Sequence, residues 1–435
     1  MALFFRRIIP LFAVAIMALN PGTASADLKD SVHPSGEIWA RYDFMDNYDF
    51  DKATKDKLET IFPRTRLALD FGFKRIGGRV QVQDFRRFGD PLKSFIDESD
   101  TEIREAYLDL TGVLAEEIDI TIGRQAIDRG EGRLLGSNDW HWIGRTHDAI
   151  SITARPAPNQ KWNGLFIKVN EASIGDEWNV ESGAYAAGLY ASLSLKPFDK
   201  LEPYYFYQNY DSKTSPSLAP QIQSSWPRGK DFNAHTIGVL TKLDITEEVF
   251  FGFEGNMQSG EFGDKNISSF LLHAKLGAET GVEGLSSIAV SYDIYSGDKD
   301  PNDNDINTYQ PLFPSTYEHT GLIGWFGMKN LTDLRLSMGG VVFRSLTWKL
   351  DGHLFRAHRL ADGLYLPNNA PYSYTISSKD FGREMDVMLG LPLMKDMALT
   401  ATVSFLDPGK CFDNAFVGTG ARTNTYLTAG VKWGF

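Results

Sequence analysis

The sequence predicts an all-β fold, a transmembrane antiparallel β-barrel of about 18 strands with short periplasmic turns and long outer loops. Three observations predict it: the final strand, an N-terminal leader, and the rhythm of the gaps between strands. In Leu427-Thr-Ala429-Gly-Val431-Lys-Trp433-Gly-Phe435, one period-2 face is apolar, while Thr428, Gly430, Lys432 and Gly434 fall on the other. Lipid requires the apolar stripe, and a watery lumen tolerates Lys432. The competing reading is an edge strand of a soluble sandwich.

The leader weakens that alternative. Met1–Arg7 carries Arg6 and Arg7 and no acid, Ile8–Leu19 is apolar, and Ala24-Ser25-Ala26 is a small-x-small cleavage site. Residues 1–26 therefore read as a secretory signal peptide, and 27–435 as one barrel domain in the bacterial outer membrane. Cleavage would leave 435 − 26 = 409 residues and move the net charge from −12 to −14, because two arginines and no acid are lost. No later segment has the ~18 apolar residues of a membrane helix. A single cysteine, Cys411, excludes an intrachain disulfide framework. The mean hydropathy of −0.26 fits a barrel, in which only alternate residues meet lipid. No Pro/Ser/Gly-rich linker divides the chain.

Alternation marks the strands in order. Leu67, Leu69, Phe71 and Phe73 run against Arg64, Arg66, Ala68 and Asp70. Ile118-x-Ile120-x-Ile122 runs against Asp119 and Thr121. Ala187, Leu189 and Leu193 run against Gly188, Ser192 and Ser194, and later come Val249–Phe253, Ile288–Ile294, Leu334–Met338, Leu346–Leu350 and Leu399–Phe405. The lipid-facing set is expected to include Leu67, Leu69, Leu193, Val290, Trp348, Val403 and Phe435. Gaps such as Lys74–Gly77, Gly112–Glu116 and Pro392–Asp396 are short. Gln125–Thr146, Asp211–Phe232, Gly297–Asn330 and His358–Gly382 are long. An even strand number closes this pattern if the apolar patch Leu322–Met328 stays within its loop.

The densest polar segment, Gly123–Asp148, holds Arg124, Arg129, Arg133 and Arg145 with Trp140 and Trp142. A loop folded into a lumen needs tryptophans to pack while its guanidinium groups pair or meet an anion. A loop in solvent is the alternative. For the aromatic-rich loops Gln125–Thr146 and Gly297–Asn330, at least one is expected inside the lumen.

These residues carry a resemblance. Gly123-Arg124-Gln125, Gly130–Gly136, Asp139-Trp140, Gly144-Arg145 and Asp148 resemble the signature of the alginate-export family of outer-membrane porins. Glu105–Asp109, Tyr295–Asp298, Asn330–Asp333 and Gly382–Asp386 continue it more weakly. The resemblance implies a monomeric 18-stranded barrel that passes an anionic polyuronate outward through an arginine-rich constriction narrowed by inward loops. By position it places Arg124, Arg129, Arg133 and Arg145 in that constriction.

Period-2 phasing adds Arg64, Arg66, Arg79, Lys168, Arg335, Lys349 and Lys432 to the lumen faces, and Arg383 is counted on the same substrate path. Fixed positive charge in a confined pore favours anions. The alternative reading, of equal weight, is that these groups pair with Asp70, Glu105, Asp109, Asp119 and Asp386 and stiffen the wall. The run Asp298–Asp305 reads as a solvated outer loop, since it lacks the Gly and distal Glu of an EF-hand. No nucleophile elbow, phosphate loop or His-Glu-x-x-His occurs, and His141 and His147 lack a third ligand, so no enzyme, metal or cofactor is expected. No basic run suits nucleic acid. Expected partners are the anionic polysaccharide or a small anionic solute, outer-membrane lipid and lipopolysaccharide, and the barrel-assembly machinery through the strand ending at Phe435. Uptake of a small anionic solute on the same scaffold is the alternative function.

Overall fold

The computed structural model describes residues 32–53, 56–89, 98–170, 184–210, 231–368, 370–373, 375–413 and 421–435. The expected signal peptide and most of the long gap 211–232 lie outside them. Strands β1 (Val32–Asp46), β2 (Lys57–Phe73), β3 (Ile76–Arg87), β4 (Glu98–Thr111), β5 (Ile118–Gln125) and β6 (His147–Ala157) come first. β7 (Gln160–Asn170), β8 (Ala184–Leu193), β9 (Lys200–Tyr210), β10 (Phe232–Asp244), β11 (Val249–Phe262), β12 (Lys265–Val282) and β13 (Leu285–Tyr295) follow. A two-residue β14 (Asp305–Ile306) precedes β15 (Leu331–Val342) and β16 (Leu346–Ala357). A small hairpin, β17 (Leu364–Tyr365) with β18 (Pro371–Ser373), precedes β19 (Asp380–Met394), β20 (Met397–Pro408) and β21 (Asn424–Gly434).

Leaving out β14, β17 and β18, the remaining 18 strands form one closed antiparallel barrel. The last strand closes on the first: Val431 lies opposite Ala40 and Lys432 opposite Trp39. The Gly36 N–H donates to the Phe435 carbonyl at 2.8 Å. Closure pairs each of the 18 barrel strands on both sides, as a bilayer requires. The segment Leu322–Met328 stays in its loop, as the parity required. One connection departs from the expected rhythm. β11 and β12 are joined at the long-loop end by Gly263-Asp264 alone, and Gly263 adopts a positive φ of 61° there.

The two faces are inverted relative to a soluble protein. Leu67 is 50% exposed and Val290 48%, while Arg64 and Arg66 are 1% and 6% exposed. Apolar side chains thus point away from the molecule and polar ones into it, which is stable only against lipid. All seven residues expected to face lipid share this outward phase, and Arg66, Ser192 and Lys349 the inward one.

Three basic residues stand on the other face from the one expected. Asn163, Leu165 and Ile167 are buried inward on β7, so Lys168 points outward with Trp162 and Phe166. Arg124 shares the outward phase of Ile122, and Arg383 that of Met385. The reason is their height. All three lie near the long-loop ends of their strands, above the apolar belt, where a polar side chain is tolerated on either face and polarity no longer reports the lumen.

Candidate functional site

Both aromatic-rich loops turn into the barrel. In the loop between β5 and β6, Ile127, Leu134 and Leu135 are buried against inward residues of β6 to β9, including Leu165, Ile167, Tyr190 and Phe206. Its far end crosses the lumen, where Trp142 packs on Phe62 of β2 at 5.3 Å and Phe85 of β3 at 4.9 Å. From the loop between β13 and β15, Tyr309, Trp325, Phe326 and Met328 join a core with Tyr295, Phe355, Phe381 and Leu406. Burial of rings this size, worth about 2 kcal/mol or more each, holds such loops inside.

The two loops are also bonded to each other. Gly136 N–H donates to the Phe313 carbonyl at 2.7 Å, Phe313 N–H to Leu134 at 2.9 Å, and Ser315 N–H to Gly132 at 2.8 Å. The Arg145 guanidinium donates to the carbonyls of Gly136 and Pro314, both at 3.1 Å. Gly136 is required here, since a Cβ would come within 2.3 Å of the Ser315 Oγ. Burial pulls the Arg145 guanidinium down to about 10.

Charge arranges the site around this plug. From the loop, Asp139 accepts Arg66 at 2.7 Å and Arg64 at 3.3 Å, with Arg104 at 3.5 Å. Arg64 also meets Glu37 at 2.6 Å, and Arg79 lies 3.1 Å from both Asp70 and Glu105. On the opposite side Arg133 reaches Glu131 at 2.6 Å, Asp293 at 3.3 Å and Glu254 at 3.6 Å. Burial opposes charge on Glu131, but Arg133 outweighs it and brings that carboxyl down to about 2. Lys349 pairs with Asp351 at 2.7 Å. Arg129 donates to the Asn163 side chain and the Asp128 carbonyl. Arg335 donates to Ser291 Oγ at 3.3 Å and the Glu318 carbonyl at 3.1 Å.

Of the basic residues read as pore-lining, then, Arg64, Arg66, Arg79, Arg133 and Lys349 face carboxylates. Arg129, Arg145 and Arg335 rest on neutral oxygens. Arg124 pairs with Asp148 and Arg383 with Asp407, each at 2.8 Å on the outer wall. Toward the short-turn end a cavity of about 1080 Å³ remains, onto which Arg133, Lys275, Arg335, Lys349 and Lys432 open. Sequence reasoning missed Lys275, Arg41 and Arg104. Arg104 occupies a register shift opposite Gln81 and Val82, where period-2 phasing breaks. It also missed the acid–histidine pairs Asp293–His273 and Asp333–His353, each 2.8 Å apart across neighbouring strands. Their signal is a register that one strand does not display. Among the described residues, no group of three or more His, Cys, Asp or Glu is placed to hold a metal. Asp298 departs from its expected solvated setting: it is buried, and its N–H donates to Asp362 at 2.7 Å.

The alginate-export family model matches residues 32–426. No curated protein matches the chain. Among solved structures it is similar to Pseudomonas aeruginosa OccK11 (OpdR), with TM-score 0.59 and 10% identity over 94% of this chain and 96% of that one. It is likewise similar to OccK3 (OpdO) of the same organism, with TM-score 0.59 and 12% identity over 94% and 97%. A structure of P. aeruginosa OpdK with vanillate gives 0.57 and 11% over 94% and 99%. These likenesses agree on the barrel, and the family match spans nearly all of it. The chain belongs to the alginate-export family of outer-membrane β-barrels.

Proposed function

We propose that this outer-membrane channel passively exports an anionic, alginate-like polyuronate through its loop-narrowed lumen, acting as a monomer and without a catalytic residue. The observation that carries the reading is Arg335. It is inward, buried and held on Ser291 and a carbonyl rather than on a carboxylate, and it opens on the cavity. Lys275 stands on the same cavity beside the Phe250 ring, 5.6 Å away, without an ion pair among the described residues. A sugar carboxylate there meets two cations that make no salt bridge among the described residues, although Glu131 lies within electrostatic reach of Lys275, and Asp293, Asp333 and Asp351 within reach of Arg335.

A second reading, uptake of a small anionic solute, is favoured by the plug. With two loops inside, the lumen holds a cavity of about 1080 Å³, near the size of a small-molecule site. Current blockade in planar bilayers separates the two. Oligouronates should block in a length-dependent manner, while neutral oligosaccharides of equal length pass without effect. Block by a small aromatic carboxylate, with none by oligouronates, would select uptake. Equal block by neutral sugars would remove both anionic readings.

A further inference from the structure

We infer that Trp140 is the sugar-stacking residue of the channel, the group that makes its cavity prefer a chain of pyranose rings to an acyclic anion of equal charge. The inference deepens the export reading and rests on it. Charge alone does not give this preference. Glu131, Glu318 and Asp351 open onto the cavity beside Lys275, Arg335 and Lys349, so a carboxylate entering there meets both signs. The same space is also lined by aromatic residues, Trp39, Trp140 and Tyr317. A pyranose ring has a face of C–H groups that packs on an aromatic plane, and an acyclic carboxylate has no such face.

Two tryptophans on this side of the lumen are already engaged. Trp142 packs on Phe62 and Phe85. Trp39 lies under three cations, with Arg64 at 4.5 Å, Arg41 at 4.9 Å and Lys432 at 5.8 Å from its centroid. Trp140 differs from both. Among the described residues its indole stacks on no other ring, meets one cation, Arg41 at 5.4 Å, and has no acceptor for its N–H. The backbone that carries it is fixed without help from the side chain. Residues 138–141 form a turn in which His141 N–H donates to the Asn138 carbonyl at 3.0 Å, with Asn138 at a φ of 50°. Asn138 N–H donates to Ser315 Oγ at 3.0 Å, and Arg41 donates to the Trp140 carbonyl at 2.9 Å. Asp139, between them, is held by Arg66 at 2.7 Å. A ring on so clamped a turn loses little freedom when a ligand stacks on it. Indole also combines a flat apolar face with one donor for a sugar hydroxyl.

Current block of the full barrel in planar bilayers tests this, with a triuronate compared against citrate, which has the same number of carboxylates and no ring. Trp140→Ala should weaken triuronate block about tenfold, the loss of one stacking contact. Citrate block and the salt-gradient reversal potential should stay at native values, because no charge moves. Trp140→Leu keeps apolar bulk without a flat face and should lose as much, so it decides the matter if the alanine variant does not fold. Heat-modifiable gel mobility reports folding. Trp140→Phe should recover most of the block. A fall in citrate block or a shift in reversal potential that accompanies the loss makes Trp140 a support of the plug and overturns the assignment. Native block by triuronate that persists undiminished in Trp140→Leu overturns this inference alone. Absence of triuronate block in the native channel overturns the export reading and this inference together.

Discussion

The two sides of the lumen mix charges differently: arginines paired with Glu37, Asp43, Asp70 and Glu105 on one, and buried acids and histidines interspersed with Lys275, Arg335 and Lys349 on the other. On β1 to β4, Arg41, Arg64, Arg66, Arg79 and Arg104 point inward, with Arg64 over the Trp39 ring at 4.5 Å and Arg41 at 4.9 Å. Across the barrel, β11 to β19 present buried Glu254, Asp293, Asp333, Glu384 and Asp386 with His273 and His353. The β5–β6 loop bridges them with matching charge: Asp139 goes to the arginine side and Arg133 to the acidic side. The second loop follows the same logic, since Ile323 N–H donates to the Glu384 carboxylate at 3.0 Å. The difference between the walls thus orients the plug. Withdrawing the β5–β6 loop takes Asp139 from Arg66 and Arg133 from Asp293, at a cost of several kcal/mol.

The comparison can be broken most forcefully by removing a loop. Deleting Gln310–Met328 should raise single-channel conductance several-fold in a barrel that still inserts, because this segment fills the lumen from the acidic side. Unchanged conductance in a correctly inserted protein would put the loop outside the current path. A more local break is Arg133→Met, which takes the guanidinium from Glu254 and Asp293 and leaves them with the Tyr204 hydroxyl and His273. It should lower stability in urea-induced unfolding by about 3 kcal/mol. A change near zero would mean that those acids are neutral in the native protein.

Acidity should sharpen the comparison with a smaller effect. Burial, and then Arg41, Arg145, Arg64 and Arg87, bring His141 in the plug down from 6.5 to about 4. Burial, with Arg133 and Arg335, lowers His319 well below its ordinary value. Each is neutral in place and takes a proton more readily when the loop is free. Their contribution is fully present above about pH 6.5 and is lost as the pH falls from there toward 4. Channel noise or conductance should therefore rise between these values and fall back on return to neutrality. His141→Gln should flatten that rise.

Much of the barrel was legible in the sequence, and for physical reasons. Residues such as Leu67 and Val290 alternate because one solvent is lipid. The tryptophans of Gly123–Asp148 announced a packed loop, since rings of that size are costly in water. The site was legible only in part. Arg64, Arg66 and Arg335 lie within the belt, where alternation reports the face. Arg124, Lys168 and Arg383 lie above it, where alternation does not. Arg104 sits on a bulge, and the pairing of His273 with Asp293 depends on a register between two strands that neither one encodes alone. The same holds for the plug, whose two loops meet through backbone groups that carry no sequence signature.

The measurement closest to the central claim is the reversal potential of single barrels under a salt gradient, for the native protein and for Lys275→Gln with Arg335→Gln. These two cations open on the cavity without a carboxylate partner among the described residues, so they set the preference if the lumen selects anions. The native channel should prefer anions, and the double variant should move toward zero selectivity with little change in conductance. A native channel that prefers cations, or a double variant with an unaltered potential, would contradict the account.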